Sequence, residues 1–565
     1  MSLTYVFRDL AVCAFFMVLV AWISYLKTRG ETSTRDGYFL AGRGLTGIFI
    51  AGSMLLTNLS AEQLIGLNGS AFGFNLSAMA WEVTAGFATI VMALVFLPRY
   101  LAGAFSTLPE FLSKRFDDDV RRMTAILFMV GYGLITIPGV LYAGSIAVLR
   151  FFDIPALLGV SYETGLIFTI VLIGVIGALY AILGGLKAVA VSDTINGIGL
   201  LIIGILVPIL GLRMLGEGNI GGGLEIVLTE HTEKLNAIGA ASDPVPWGTI
   251  FTGMILANLF YWGTNQYVIQ RTLSASNLAE GQKGVLFAGY LKLLVPFVMM
   301  LPGIIAFHLY QDDSLRSIDL AYPQLVRDVL PTFMAGFFLA VLLGAVFSSF
   351  NSLLNSAATL FCLDLYAPLV KRTLSDAELI RMARVASIVI ALVSFIIAPM
   401  LMLAPEGLWQ VIRVFTGFYN IPVITLVLVG LFTRRVPASA AKVVIGFHIV
   451  AYALLQFVFA VPLHFIHLYA VLFAIEVAIM LWMGYRTPAA ERQHYVPLVQ
   501  VDLTPWRYAL PMTSTLICLI VLSYLLFSPI GLVGGLSVWF WPLVSVTVLV
   551  NMMVCRYFLR RQRPV

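Results

Sequence analysis

Thr57 to Gly69 reads TNLSAEQLIGLNG, placing Asn58, Ser60, Glu62, Gln63 and Asn68 inside a segment that otherwise looks membrane-spanning. On one regular helix these side chains would point in every direction, and no single wetted face could shelter them. Hydrocarbon penalises an unpaired polar group by several kcal/mol, so the pattern belongs where the chain lines a site. The chemistry on offer is recognition. Amides and a carboxylate suit hydroxyls, and carbonyls freed by a helix break suit a hard cation.

A second polar run, AVFSSFNSLLNS from Ala345 to Ser356, places the hydroxyls of Ser348 and Ser349 side by side in an apolar span. Serines often bond back to their own helix turn. Opposite a broken helix, the same pair could complete an oxygen cage for an alkali ion. Ionisable residues at membrane depth mark function or pair with each other. Glu62, Glu82, Asp193, Lys292, Arg413 and Glu476 are the candidates. Two carboxylates and two cations around one cavity can bind a polyhydroxylated or zwitterionic solute. Glu82 and Lys292 could equally be a structural ion pair, and Glu476 has no obvious partner.

Bond-making chemistry finds little support. Cys13, Cys362, Cys518 and Cys555 are scattered, without metal or disulfide spacing. His464 and His467 lack a third ligand, and Asp117 to Asp119 lacks the alternation of a calcium loop. The Ser348/Ser349 pair has no neighbouring histidine. We expect no enzyme, and no catalytic residues.

The surrounding chain explains how such residues could be held. It has 565 residues, 60% hydrophobic and 11% charged, where soluble domains carry roughly 25% charge. This is an all-α polytopic membrane protein. About fifteen apolar segments are long enough to cross, centred near residues 15, 56, 88, 136, 174, 202, 258, 295, 348, 392, 420, 449, 475, 518 and 547. About fourteen remain if one of the last two is lost. The first span reads as a retained helix rather than a signal peptide. With the N-terminus outside, only Arg8, Arg150, Arg213, Lys234, Arg316 and Arg327 of the 34 Lys and Arg face outward, and Lys292 and Arg413 lie within spans. The rest fall inside, as does the tail RYFLRRQRPV. The Gly-rich outer segment Gly216 to Val245 is expected to cap the mouth.

Leu55–Leu59 reads LLTNL and Ile255–Leu259 reads ILANL, both in polar spans. If spans two to six form one repeat and seven to eleven another, the odd helix number inverts the second copy. The amides could instead join helices, at about 1 kcal/mol each. The expected units are an extra N-terminal helix (1–30), a first repeat (40–216), an inverted second repeat (245–435) and additional C-terminal helices (436–565).

NLSAEQLIG, the Glu82 span, GGLKAVAVSDTING, ANLFYWGTNQYVIQRTL, AEGQKG, and FSSFNSLLNSAATLF with the following DLY resemble the solute:sodium symporter family. The likeness runs from about Tyr38 to Gly430 and leans toward the bacterial sodium–glucose/galactose symporters. It implies a leucine-transporter-type fold of five plus five helices. It also implies a sodium site made by the carbonyls of Leu56, Leu59 and Ala345 with the hydroxyls of Ser348 and Ser349. Asp193 would lie on the sodium path. Asn58, Gln63, Glu82, Asn258 and Lys292 would bind the sugar. Tyr261 would be the inner gate, and Leu67 and Trp409 the outer gate. Two positions depart from the galactose transporters: Arg413 replaces a glutamine and Ala85 a serine. Arginine only donates and stays charged, so Arg413 would bind an acidic solute or pair with Glu82. The implied partners are sodium, a small sugar-like solute and the cell membrane, with no nucleic acid and no obligate protein partner.

Overall fold

The computed structural model describes residues 3–28, 43–311, 315, 317–370, 374–403, 408–459, 461–489 and 501–561. Among them the regular elements are all helical. Arg316 and the tail beyond residue 561, both used above to set the sides, lie outside the described residues.

The chain opens with α1 (Leu3–Thr28). Two short helices, α2 (Gly47–Asn58) and α3 (Ala61–Gly73), meet at a 57° bend. They are the broken helix expected from TNLSAEQLIGLNG. The spans α4 (Leu76–Ala102) and α5 (Asp118–Leu149) follow. Then comes α6, Tyr162–Leu215, one uninterrupted helix of 54 residues where a turn was expected between two spans. At 1.5 Å per residue it would be about 80 Å long if straight, far beyond a hydrocarbon core of about 30 Å.

It is not straight. Gly177 lies against Phe347 and Phe350, and Asn196 against Gly344. Those two positions on α6 would be about 28 Å apart on a straight rod, yet they touch neighbouring turns of one helix. The helix is therefore bent between them.

The second half brings α7 (Gly253–Gly263) and α8 (Gln266–Leu273), parted at Thr264 and Asn265. Next are α9 (Leu278–Lys292) and α10 (Val295–Tyr310), bent by 48°. Pro296 explains that bend, because its ring removes an N–H and collides with the carbonyl of Lys292. It was not anticipated. Then follow α11 (Ala335–Val370), α12 (Asp376–Met402), α13 (Trp409–Phe432), α14 (Ala438–Val458), α15 (Phe465–Arg486), α16 (Ala509–Leu526) and α17 (Phe540–Arg561).

Eleven described helices are long and apolar enough to cross a membrane, or thirteen if each bent pair is one span. The crossing expected near residue 202, Ala190–Leu215, is one of the eleven; the one expected near 174 is the shorter apolar stretch Tyr162–Ala178 of the same α6, and the one near 258 falls on the interrupted pair α7/α8. α1 and α17 expose most of their apolar surface, as lipid-facing helices do. The interior gathers where α2, α3, α7 and α8 are interrupted, enclosed by α4, α5, α11 and α13. In the segment Gly216 to Val245, Lys234 donates to the carbonyl of Phe72 at 2.9 Å, and Asp243 accepts from Asn75 at 2.8 Å. Both contacts hold the segment against the end of α3.

Candidate functional site

The first break follows from capping. The Ser60 hydroxyl accepts the Gln63 N–H at 3.2 Å and starts α3. Ser60's own N–H turns to the Asn58 carbonyl at 2.8 Å. The carbonyls of Leu56 and Leu59 thereby lose the backbone donors that a continuous helix would supply.

Below the break lies a cavity of about 50 Å³ whose lining includes Asn58, Glu62, Gln63, Asn258 and Arg413. Trp81, Phe260, Tyr261 and Tyr419 supply aromatic walls. Binding pockets for small molecules usually span 300–1,000 Å³, and a liquid water occupies about 30 Å³. The site in this conformation is drawn tight.

Each polar wall residue is held differently. Gln63 Nε2 donates to Glu82 Oε1 at 2.6 Å. Lys292 Nζ pairs with the other oxygen, Oε2, and is fully buried. Lys292 ends α9 just before the Pro296 bend, behind Glu82 rather than on the cavity wall. Asn258 donates to the Thr84 hydroxyl at 2.9 Å. Tyr267 donates to the Tyr261 hydroxyl at 2.8 Å, tying the expected inner gate to α8.

Arg413 does not pair with Glu82, whose oxygens are taken by Gln63 and Lys292. Its guanidinium lies 3.9 Å from the Trp409 ring centre and 5.2 Å from that of Trp81. Its Nε is buried without an acceptor. Glu62 lines the same cavity in the first turn of α3. It was noted above as an intramembrane charge but not placed in the solute site. The signal lay in its position, two residues past the cap.

Leu67 is buried away from the cavity. Trp409 lines a separate pocket of about 270 Å³ with Gly66, Ser70, Phe74 and Pro244. A Cβ at Gly66 would come within 2.8 Å of the Trp409 Cβ. Only glycine allows that approach.

Ser348 and Ser349 diverge by about 100° around α11. Ser349 faces the central cavity. Ser348 faces a second pocket, with Ser192 and Asn196 of α6. Both hydroxyls are buried and unpartnered. Leu56 packs on Gly197, and Gly344, one residue before Ala345, packs on Asn196, so α2, α6 and α11 converge here.

Asp193 accepts from Ser53 at 2.8 Å and lies 3.8 Å from Arg271 Nη2. Arg271 Nε donates to Ser53 at 3.0 Å, and its Nη2 reaches Ser352. Arg271 is fully buried, whereas its sequence position put it in an inside loop. Only the α7/α8 break carries it inward. Farther off, Glu476 does have partners: His448 Nδ1 at 2.5 Å and the Thr425 hydroxyl at 2.7 Å.

Broken spans around a small polar cavity, beside freed carbonyls and orphan hydroxyls, define a secondary transporter. Residues 38–445 match the sodium:solute symporter family, and the chain belongs to it. It is 45% identical over 493 residues to the uncharacterised symporter YidK of Escherichia coli K12, covering 87% of this chain and 86% of that one. It is 31% identical over 468 residues to a sodium/glucose cotransporter of Vibrio parahaemolyticus, covering 77% of this chain and 82% of that one. A solved sodium-coupled sialic acid symporter shares the fold, with TM-score 0.74 and 20% identity over 86% of this chain and 99% of that one. The protein is thus a multi-pass membrane symporter that couples a solute to sodium, and not an enzyme.

Proposed function

We propose that this symporter imports a small hydroxylated solute, a sugar in the first place, by alternating access. The observation that carries this reading is the cavity lining, where amides, carboxylate and guanidinium alternate with aromatic faces. Such a wall offers donors and acceptors to hydroxyls and flat apolar surface to a sugar ring. The Vibrio cotransporter, similar over most of the chain, is named for glucose, which supports the same class.

The roles follow. Sodium sits between the Leu56 and Leu59 carbonyls, the Ala345 carbonyl, and the Ser348 and Ser349 hydroxyls. The carbonyls of Leu56 and Leu59 freed at the break, and the unpartnered hydroxyls of Ser348 and Ser349, support that assignment. Asp193, tied to Arg271, lies on the inward path. Asn58, Gln63, Glu82, Asn258 and Arg413 hold the solute, and Lys292 fixes Glu82. Tyr261 yields inward, while Leu67 and Trp409 yield outward. The tight cavity supports a cycle in which the site opens to one side at a time. The N-terminus lies outside and the C-terminal tail in the cytoplasm, by the charge asymmetry. Residues 40–216 and 245–435 are the inverted repeats that rock against each other.

One sodium per cycle suffices. About 100 mV contributes roughly 2.3 kcal/mol, and a tenfold sodium gradient about 1.4. Together they hold a solute gradient of several hundredfold. Coupling requires that sodium and solute favour the same conformations.

A second reading, a sugar acid, draws support from Arg413, which has no ion-pair partner among the described residues. Thermal stability of the purified protein across sugars, sugar acids and polyols, in sodium and in potassium, tests both. Stabilisation by a neutral hexose in sodium alone is expected. A shift with carboxylated solutes alone would favour the second reading. Indifference to sodium with every ligand would sink the assigned sodium site.

A further inference from the structure

We propose that Glu62 sets the charge of the accepted solute: facing Arg413 across the cavity, it makes the site electrically balanced and so selects solutes of zero net charge. This rests on the cavity being the solute site.

Four acidic or basic side chains, Glu62, Glu82, Lys292 and Arg413, stand in or directly behind the cavity wall. Glu82 and Lys292 cancel, and Gln63 fills the remaining oxygen of Glu82. That leaves Glu62 and Arg413. Both line the cavity, and Glu62 is 5% exposed. Neither forms an ion pair among the described residues, yet Glu62 lies within coulombic reach of Arg413. The first turn of α3, where the helix presents its free amides, suits a carboxylate.

The unpaired guanidinium alone would invite an anion. With Glu62 opposite, an entering carboxylate would bring a second negative charge to one cation, in a site too small to keep its water. A buried charge without its own partner is strongly disfavoured. A neutral polyol adds no charge and uses both groups. Its hydroxyls accept from Arg413 and donate to Glu62, and each of these bonds is charge-assisted. The sodium charge is held at the α2/α11 site by carbonyls and hydroxyls, so it does not neutralise the solute.

The test measures sodium-dependent binding of a neutral hexose, and of the hexuronate made by oxidising its terminal carbon, to the full-length protein. Wild type, Glu62→Gln, Arg413→Gln and the double variant are compared. Wild type is expected to prefer the hexose. E62Q should shift preference toward the hexuronate by tenfold or more. R413Q should weaken hexose binding at least tenfold. The double variant, neutral again, should bind the hexose more tightly than R413Q alone and regain the preference for hexose over hexuronate. Hexuronate preferred by wild type, or losses that simply multiply in the double variant, would overturn the proposal. Should E62Q not fold, Glu62→Asp and Arg413→Lys keep both charges and must keep the neutral preference. If they lose it, the idea fails. If wild type binds neither sugar in sodium, the solute reading itself falls, and this inference with it.

Discussion

Glu62 and Glu476 are the same residue type, both buried in membrane-spanning helices, and they are held in opposite ways. Glu476 is saturated. His448 meets one oxygen, Thr425 donates to the other, and the second nitrogen of His448 meets the Gly417 carbonyl at 3.0 Å. That cluster fastens α13 to α14 and α15. Glu62 faces a cavity with its nearest countercharge beyond ion-pair distance. At Glu476, away from the cavity, each oxygen already has a partner, and that marks it as scaffold. Unsaturation, in a place where it is costly, marks a group kept for a ligand.

Asp364 stands between the two: Arg121 Nε at 2.6 Å and the Thr107 hydroxyl at 3.0 Å both meet its Oδ1, while its Oδ2 is buried without a partner. Ser348 and Ser349 belong with Glu62, as hydroxyls without partners at a helix break.

The sharpest way to break the distinction is to strand a charge. Lys292→Met leaves Glu82 buried with only Gln63, and should cost about 3–5 kcal/mol of stability. A large fall in thermal midpoint, with sodium present or absent, is the expected readout. A variant as stable as wild type would mean that the pair is not structural.

Smaller effects come from the Glu476 cluster. Glu476→Gln weakens its charge-assisted bonds and should cost about 1.5–3 kcal/mol. Its effect should fall on the thermal midpoint and leave the sodium concentration for half-maximal stabilisation where it is. A changed sodium requirement would move Glu476 out of the scaffold.

Ser349→Ala should behave in the opposite sense. Removing an unpartnered hydroxyl costs the folded protein little. Losing a ligand should raise the sodium requirement about tenfold, roughly 1.4 kcal/mol. Sodium titration of thermal stability separates these, and an unmoved midpoint concentration would remove Ser349 from the ion site. The smallest change expected is Thr425→Val, which deletes one bond to Glu476 for about 1 kcal/mol. Hexose binding in that variant should match wild type.

Several of these features are legible in the residues alone. Apolar runs locate the spans because crossing a bilayer is a length requirement. TNLSAEQ announces a break because its polar residues fit no single helix face and Ser60 is a natural cap. The family motifs bring Ser348 and Ser349 into view. Other features escape. Arg271 reads as a loop residue, since nothing local says that the α7/α8 break turns it inward to Ser53, 218 positions earlier. The turn expected between the spans centred near 174 and 202 is continuous helix, because glycines permit a bend without requiring an end. The Pro296 bend has a local cause, the proline that removes a donor and crowds the preceding turn.

What the sequence determines by itself is local: helix, break, cap, span and the stock of charges at membrane depth. What only tertiary structure decides is which of those charges are used up. Lys292 and Glu82 lie 210 positions apart, and no local rule brings them together. Once they pair, Arg413 is left to the cavity with Glu62 opposite it. Hydrogen bonds and ion pairs act over a few ångströms, so their partners are fixed by packing between distant helices and not by the order of residues along the chain.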